Sequence, residues 1–127
     1  MTNILVVDDS PTIRRMVRAA LEPVGQSRFV EAETGLEAIE RLAFAPVALV
    51  VLDLNMPDMH GIEVLKFIRG HEAYRDIPVL VLTTRSDDAS RVAALEAGAT
   101  VYVTKPFAPA MLAAEARKLL GGVGAGR

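Results

Sequence analysis

The chain has no cysteine and no tryptophan, and its 127 residues include only four phenylalanines and two tyrosines. Without thiols it forms neither disulfides nor thiolate metal sites, which fits an expected cytoplasmic setting. An excess of either charge is also missing: 14 Lys and Arg against 16 Asp and Glu leave a net charge of −2. That balance provides no basic field for nucleic acid and no strong attraction to an anionic membrane. The longest mostly apolar run, Ala43 to Leu52, is too short to cross a bilayer and contains Pro46. Asp8 and Asp9 interrupt the place where the apolar core of a signal peptide would sit. What remains is 51% hydrophobic and 24% charged, the balance of a globular domain long enough to bury a core.

Four short apolar runs organise the chain, and each stops at a polar residue. Ile4 to Val7 ends at Asp8 and Asp9, and Val47 to Leu52 ends at Asp53. Ile77 to Leu82 ends at Thr83, and Thr100 to Thr104 ends at Lys105 and Pro106. Phe29 to Glu33 reads as a weaker, outer strand. Between the runs, apolar residues recur at three-four spacing and predict five helices. The faces expected to be buried are Ile13, Met16, Val17, Ala20, Leu21 and Val24; Leu36, Ile39 and Leu42; Ile62, Leu65 and Ile68; Ala89, Val92, Ala93 and Ala97; and Leu112, Ala116, Leu119 and Leu120. Ser10 before Pro11 suits a helix start, and Gly98 suits a helix end. Arg14, Arg15 and Arg18 are expected on the wet side of the first helix, where docking an acidic partner is the alternative reading. A domain over residues 1–120 and a flexible Gly-rich tail over 121–127 complete the expected layout.

Five strand-helix units predict an α/β fold, a doubly wound, five-stranded parallel sheet covered on both faces. In the flavodoxin-like order 2-1-3-4-5, ligands bind at the carboxyl ends of the strands, at the switch point between strands one and three. Asp8, Asp9 and Asp53 would meet there, with Thr83 and Lys105 beside them. Three close carboxylates repel one another, and a divalent cation would relieve the repulsion. With oxygen ligands, no Cys and no paired His, magnesium is favoured over zinc. Asp53, on the most central strand, is the expected nucleophile for phosphoryl transfer. Lys105 would neutralise a phosphoryl oxygen and the Thr83 hydroxyl would donate to another. Each residue alone has an ordinary explanation in a turn or helix start, but five coinciding at one sheet edge is a specific signal.

Four motifs in order, Val6-Val7-Asp8-Asp9-Ser10, Asp53-Leu54-Asn55-Met56-Pro57 with Gly61, Leu82-Thr83 and Thr104-Lys105-Pro106-Phe107, resemble those of response-regulator receiver domains. The likeness covers about residues 3 to 120 and is strongest to stand-alone, CheY-like chemotaxis members. It implies that Asp53 accepts a phosphoryl group from a histidine kinase or histidine phosphotransfer protein. It implies magnesium contacts from Asp9, Asp53 and the Asn55 carbonyl, with Asp8 acting through water. Thr83 and Tyr102 match the family's switch pair, and Asn55, Thr84 and Arg85 fall where the family tunes phosphoryl lifetime. The expected output is contact with a downstream protein through the fourth helix, fifth strand and fifth helix, by a monomeric phosphoacceptor that is not an enzyme. His60 and His71 read as surface residues. An aspartyl phosphatase of the haloacid dehalogenase type is disfavoured because Asn55 stands where its general acid belongs. A phosphorylation-independent module, a flavodoxin-like ligand binder and one domain of a longer regulator are the other readings.

Overall fold

The computed structural model describes residues 2–125. Strands and helices alternate: β1 (Thr2–Val7), α1 (Pro11–Leu21), β2 (Ser27–Ala32), α2 (Gly35–Phe44), β3 (Leu49–Leu52), α3 (Gly61–Gly70), β4 (Val79–Thr83), α4 (Asp88–Ala97), β5 (Val101–Thr104) and α5 (Pro109–Ala125). The strands form one parallel sheet in the order β2-β1-β3-β4-β5, as expected. Alternation along each central strand divides the core in two. Ile4, Val6, Leu49, Val51, Leu80 and Leu82 pack with Val17, Leu21, Leu112 and Ala116 of α1 and α5. Leu5, Val7, Val50, Leu52, Val79 and Val81 face Ala38, Leu42, Val64, Leu65, Ile68 and Ala94 of α2, α3 and α4. Each fully buried Leu, Ile or Val contributes about 1.5–3 kcal/mol, so both faces of β1, β3 and β4 anchor the sheet.

The structure moves several expected boundaries. β3 and β4 begin two residues later than their apolar runs, at Leu49 and Val79. Pro78 has no N–H for a ladder, and its carbonyl accepts from the amide of Val50 as the chain enters the sheet. β2 lies at Ser27–Ala32 and β5 starts at Val101. α5 continues to Ala125, through glycines assigned to the tail, while Gly126 and Arg127 lie outside the described residues. A helix already nucleated gains a hydrogen bond with each added residue, which offsets the cost of about 1 kcal/mol per glycine.

Three helix faces also differ from expectation. Met16, Leu36 and Val92 are exposed. In α4 only Ala94 is fully buried, with Ser90 and Ala97 partly covered, so the packed stripe is rotated from Ala89-Val92-Ala93. Alanine-rich spacing fits two neighbouring stripes equally, and the approach of the sheet selects one. Arg15 and Arg18 are exposed, but the Arg14 side chain is only 14% exposed and pairs with Glu31 on β2.

Candidate functional site

Backbone pairing runs one residue beyond the strands and delivers polar side chains to a common edge. The amides of Asp8, Asp53 and Lys105 donate to the carbonyls of Ala32, Val7 and Thr83 at 3.0, 2.9 and 2.8 Å. One carboxylate oxygen from each of Asp8, Asp9 and Asp53 lies within 4.8 Å of the others, the single such group among the described residues. Asp8 and Asp53 are buried and Asp9 is exposed. The Lys105 ammonium lies 2.7 Å from Asp8 Oδ2 and 3.7 Å from Asp53 Oδ1, and the peptide bond that follows, Lys105–Pro106, is cis.

One ammonium cannot balance three carboxylates. Like charges about 4 Å apart cost roughly 4 kcal/mol per pair at the effective dielectric of such sites. Burial, and then the charge of Asp8, push the Asp53 carboxyl above the ordinary carboxylate range. Asp9 adds to the shift, while Lys105 and the Asn55 backbone N–H oppose it. Asp53 Oδ1 is also buried without a hydrogen-bond partner. An all-oxygen donor set with a surplus of negative charge and one unsatisfied buried oxygen fits a hard divalent cation. Beside it opens a cleft of about 410 Å³, lined by Asp9 and the loop from Asn55 to His60.

The remaining predicted residues meet around Arg85. The Arg85 guanidinium donates to Asn55 Oδ1 at 2.8 Å, and its amide donates to the hydroxyl oxygen of Thr83 at 3.4 Å. Thr83 is fully buried, and its hydroxyl proton stays available to a new acceptor. The Tyr102 hydroxyl donates to the Arg85 carbonyl at 2.6 Å, and burial of the ring raises its pKa. Thr84 is exposed. His60 and His71 are exposed as expected; each accepts a backbone N–H through Nδ1, at 3.1 and 3.2 Å, and His71 stacks on Tyr74.

One support of the loop after Asp53 went unread in the sequence, and another was quoted without its physical reason. Asp58 accepts from the amides of Gly35 and Leu36 at 3.0 and 3.1 Å, clamping the loop to the start of α2. These bonds hold the Asp58 carboxyl below its usual pKa. Only its place between Pro57 and a helix start hinted at a capping role. Gly61, quoted as part of a motif, has a steric reason: a Cβ there would lie 2.6 Å from the Asp53 carbonyl oxygen and the Leu54 Cα.

Comparison with known proteins agrees with this geometry. Residues 4–117 match the response regulator receiver domain model. The chain is 39% identical over 119 residues to chemotaxis protein CheY1 of Helicobacter pylori, covering 93% of this chain and 96% of that one. It shows the same identity to a chemotaxis CheY homolog of Campylobacter jejuni, covering 93% and 92%. The structure superposes on chemotaxis response regulator CheY4 of Vibrio cholerae with a TM-score of 0.86 and 34% identity, covering 94% and 99%. An acidic cluster at the carboxyl edge of a β2-β1-β3-β4-β5 sheet, together with these matches, makes the chain a member of the response regulator receiver domain family.

Proposed function

We propose that Asp53 is the phosphoacceptor of this receiver domain, within a functional unit spanning about residues 1–120. The observation that carries the reading is the buried Asp53 Oδ1, without a hydrogen bond, beside Asp8, Asp9 and Lys105. A carboxylate oxygen of Asp53 attacks the phosphorus of a phosphohistidine on a histidine kinase or histidine phosphotransfer protein. The P–N bond breaks, its electron pair leaves with the imidazole nitrogen, and a phospho-aspartate remains. Small acyl phosphates serve as alternative donors. In a separate hydrolytic step water attacks phosphorus, the bond from phosphorus to the Asp53 oxygen breaks, inorganic phosphate leaves and the carboxylate returns.

Asp8, Asp9, Asp53 and the Asn55 carbonyl would hold magnesium, which when bound neutralises charge on the transferring phosphoryl oxygens. Lys105 exchanges part of its pairing with Asp8 for a phosphoryl oxygen, and the Thr83 hydroxyl donates to another. Charge-assisted hydrogen bonds contribute about 1.5–3 kcal/mol each. Two of them approach the ~5.5 kcal/mol that inverts a 1:99 equilibrium. Movement of Thr83 reaches Tyr102 through Arg85, which contacts both. Asn55, Thr84 and Arg85 set how readily water reaches the phosphoryl group. The output is contact of monomeric protein with a downstream partner over α4, β5 and α5. The names of the relatives favour chemotaxis, and a cytoplasmic setting belongs to the same proposal.

Incubation with acetyl phosphate and magnesium, followed by intact mass, tests the site. One added phosphoryl group on the wild type and none on Asp53→Asn are expected. An unmodified wild type with both acetyl phosphate and a phosphorylated histidine kinase overturns the reading. Loss of directional switching in cells lacking the protein tests the chemotactic role.

A further inference from the structure

We propose that Arg14 is a positioning residue that holds the Asp8–Asp9 peptide so that Asp9 faces the cation. The inference rests on the magnesium reading above. Asp9 is exposed, and among the described residues its carboxylate makes no hydrogen bond or ion pair with a side chain. Its placement therefore rests on its own rotamer and on the backbone that precedes it. That backbone is held at three points. The Asp8 amide donates to the Ala32 carbonyl, Asp8 Oδ1 accepts from the Ser10 amide at 2.9 Å, and the Asp8 carbonyl accepts from the Arg14 guanidinium at 2.6 Å. A peptide unit is planar, so fixing the Asp8 carbonyl fixes the amide of Asp9 with it.

Arg14 is itself restrained. Its Nε donates to Glu31 Oε1 at 2.8 Å, while Arg18 takes Glu31 Oε2 at 3.0 Å. Arg41 donates to the Glu31 carbonyl at 3.2 Å, so α1, α2 and β2 converge on this residue. Glu31 offsets the charge of Arg14 without occupying the N–H that grips Asp8. The grip then costs little in repulsion toward an incoming cation. A lysine, with one point charge, cannot reproduce two separately directed contacts.

Magnesium affinity separates positioning from simple charge, because the two predict opposite signs. If Arg14 acts only as a nearby positive charge, removing it strengthens cation binding. If it positions Asp9, removing it weakens binding by about tenfold, as loss of supporting groups behind metal ligands does. The test titrates full-length wild type, Arg14→Gln, Arg14→Lys and Arg18→Gln with magnesium alone. Calorimetry gives the Kd, and the amide shifts of Asp9 and Asn55 report the site; thermal melts confirm folding. We expect a Kd about tenfold higher for Arg14→Gln and for Arg14→Lys. Arg18→Gln, which touches Glu31 but not Asp8, should stay within about twofold of wild type. An unchanged or tighter Kd in folded Arg14→Gln overturns the positioning role and leaves the metal site standing. Should that variant not fold, the same outcome in Arg14→Lys decides. A wild type that binds no magnesium overturns the metal reading and this inference together.

Discussion

The two edges of the sheet treat charge drawn out of water in opposite ways. At the amino edge, Arg69 on α3 donates to the carbonyls of Gly98, Arg75 and Ile77 and to the Thr100 hydroxyl, at 3.0, 3.0, 2.7 and 3.3 Å. Burial lowers its pKa, yet four acceptors replace the lost water and tie α3 to the entries of β4 and β5. At the carboxyl edge, Asp53 is buried beside two like charges, with Oδ1 lacking a hydrogen bond and the Lys105 ammonium 3.7 Å away. A half-buried charge with its acceptors in place ties elements of the fold together. An unsatisfied one is a place for a ligand to bind.

The largest effect should come from the satisfied edge. Arg69→Ala takes the donor from three carbonyls, leaves the Thr100 hydroxyl with the Val79 amide alone and removes the side chain packed on Gly98, and should cost about 2–4 kcal/mol in urea unfolding. A cost below about 0.5 kcal/mol would break the contrast. At the other edge, magnesium at 100 times its Kd should stabilise the wild type by about 2.7 kcal/mol, and Asp53→Asn far less. Equal gains in the two proteins would place the ion elsewhere.

Metal-free protein should show the opposite ranking, with Asp53→Asn more stable than wild type by about 1–2 kcal/mol near neutral pH. The pH dependence follows from the sign of the shift. The folded-state pKa of Asp53 lies above the ordinary value of 3.8, so folding favours the protonated acid. Its stabilising contribution is complete below 3.8 and is lost as pH rises through the folded-state value. The stability difference between Asp53→Asn and wild type should widen over that window; a difference that narrows would refute the assignment. The smallest effect belongs to a pair that is satisfied but exposed. Lys118 is 71% exposed and lies 3.4 Å from Glu115, so Lys118→Ala should change stability by no more than about 0.5 kcal/mol. A larger loss would mean that pairing, rather than burial, sets the scale.

Some features were legible because they are local. A strand buried on both faces must be a continuous apolar run, so β1, β3 and β4 were visible, and the polar residue ending each run was visible with them. The helix start at Ser10 and the helix end at Gly98 were equally plain, since capping needs only neighbouring residues. Arg14 was misplaced for the complementary reason. Helical spacing assigns it to a polar stripe, and only the proximity of β2 supplies Glu31 and the Asp8 carbonyl.

The residue types at the strand ends, and hence the chemistry within reach, came from sequence alone. Tertiary structure decided which charges are buried, which of them find partners and which face of α4 is covered. It also set Lys105 closer to Asp8 than to Asp53, and Asp58 on the first turn of α2. Desolvation and hydrogen-bond satisfaction depend on groups distant in the chain, so one-dimensional spacing cannot specify them.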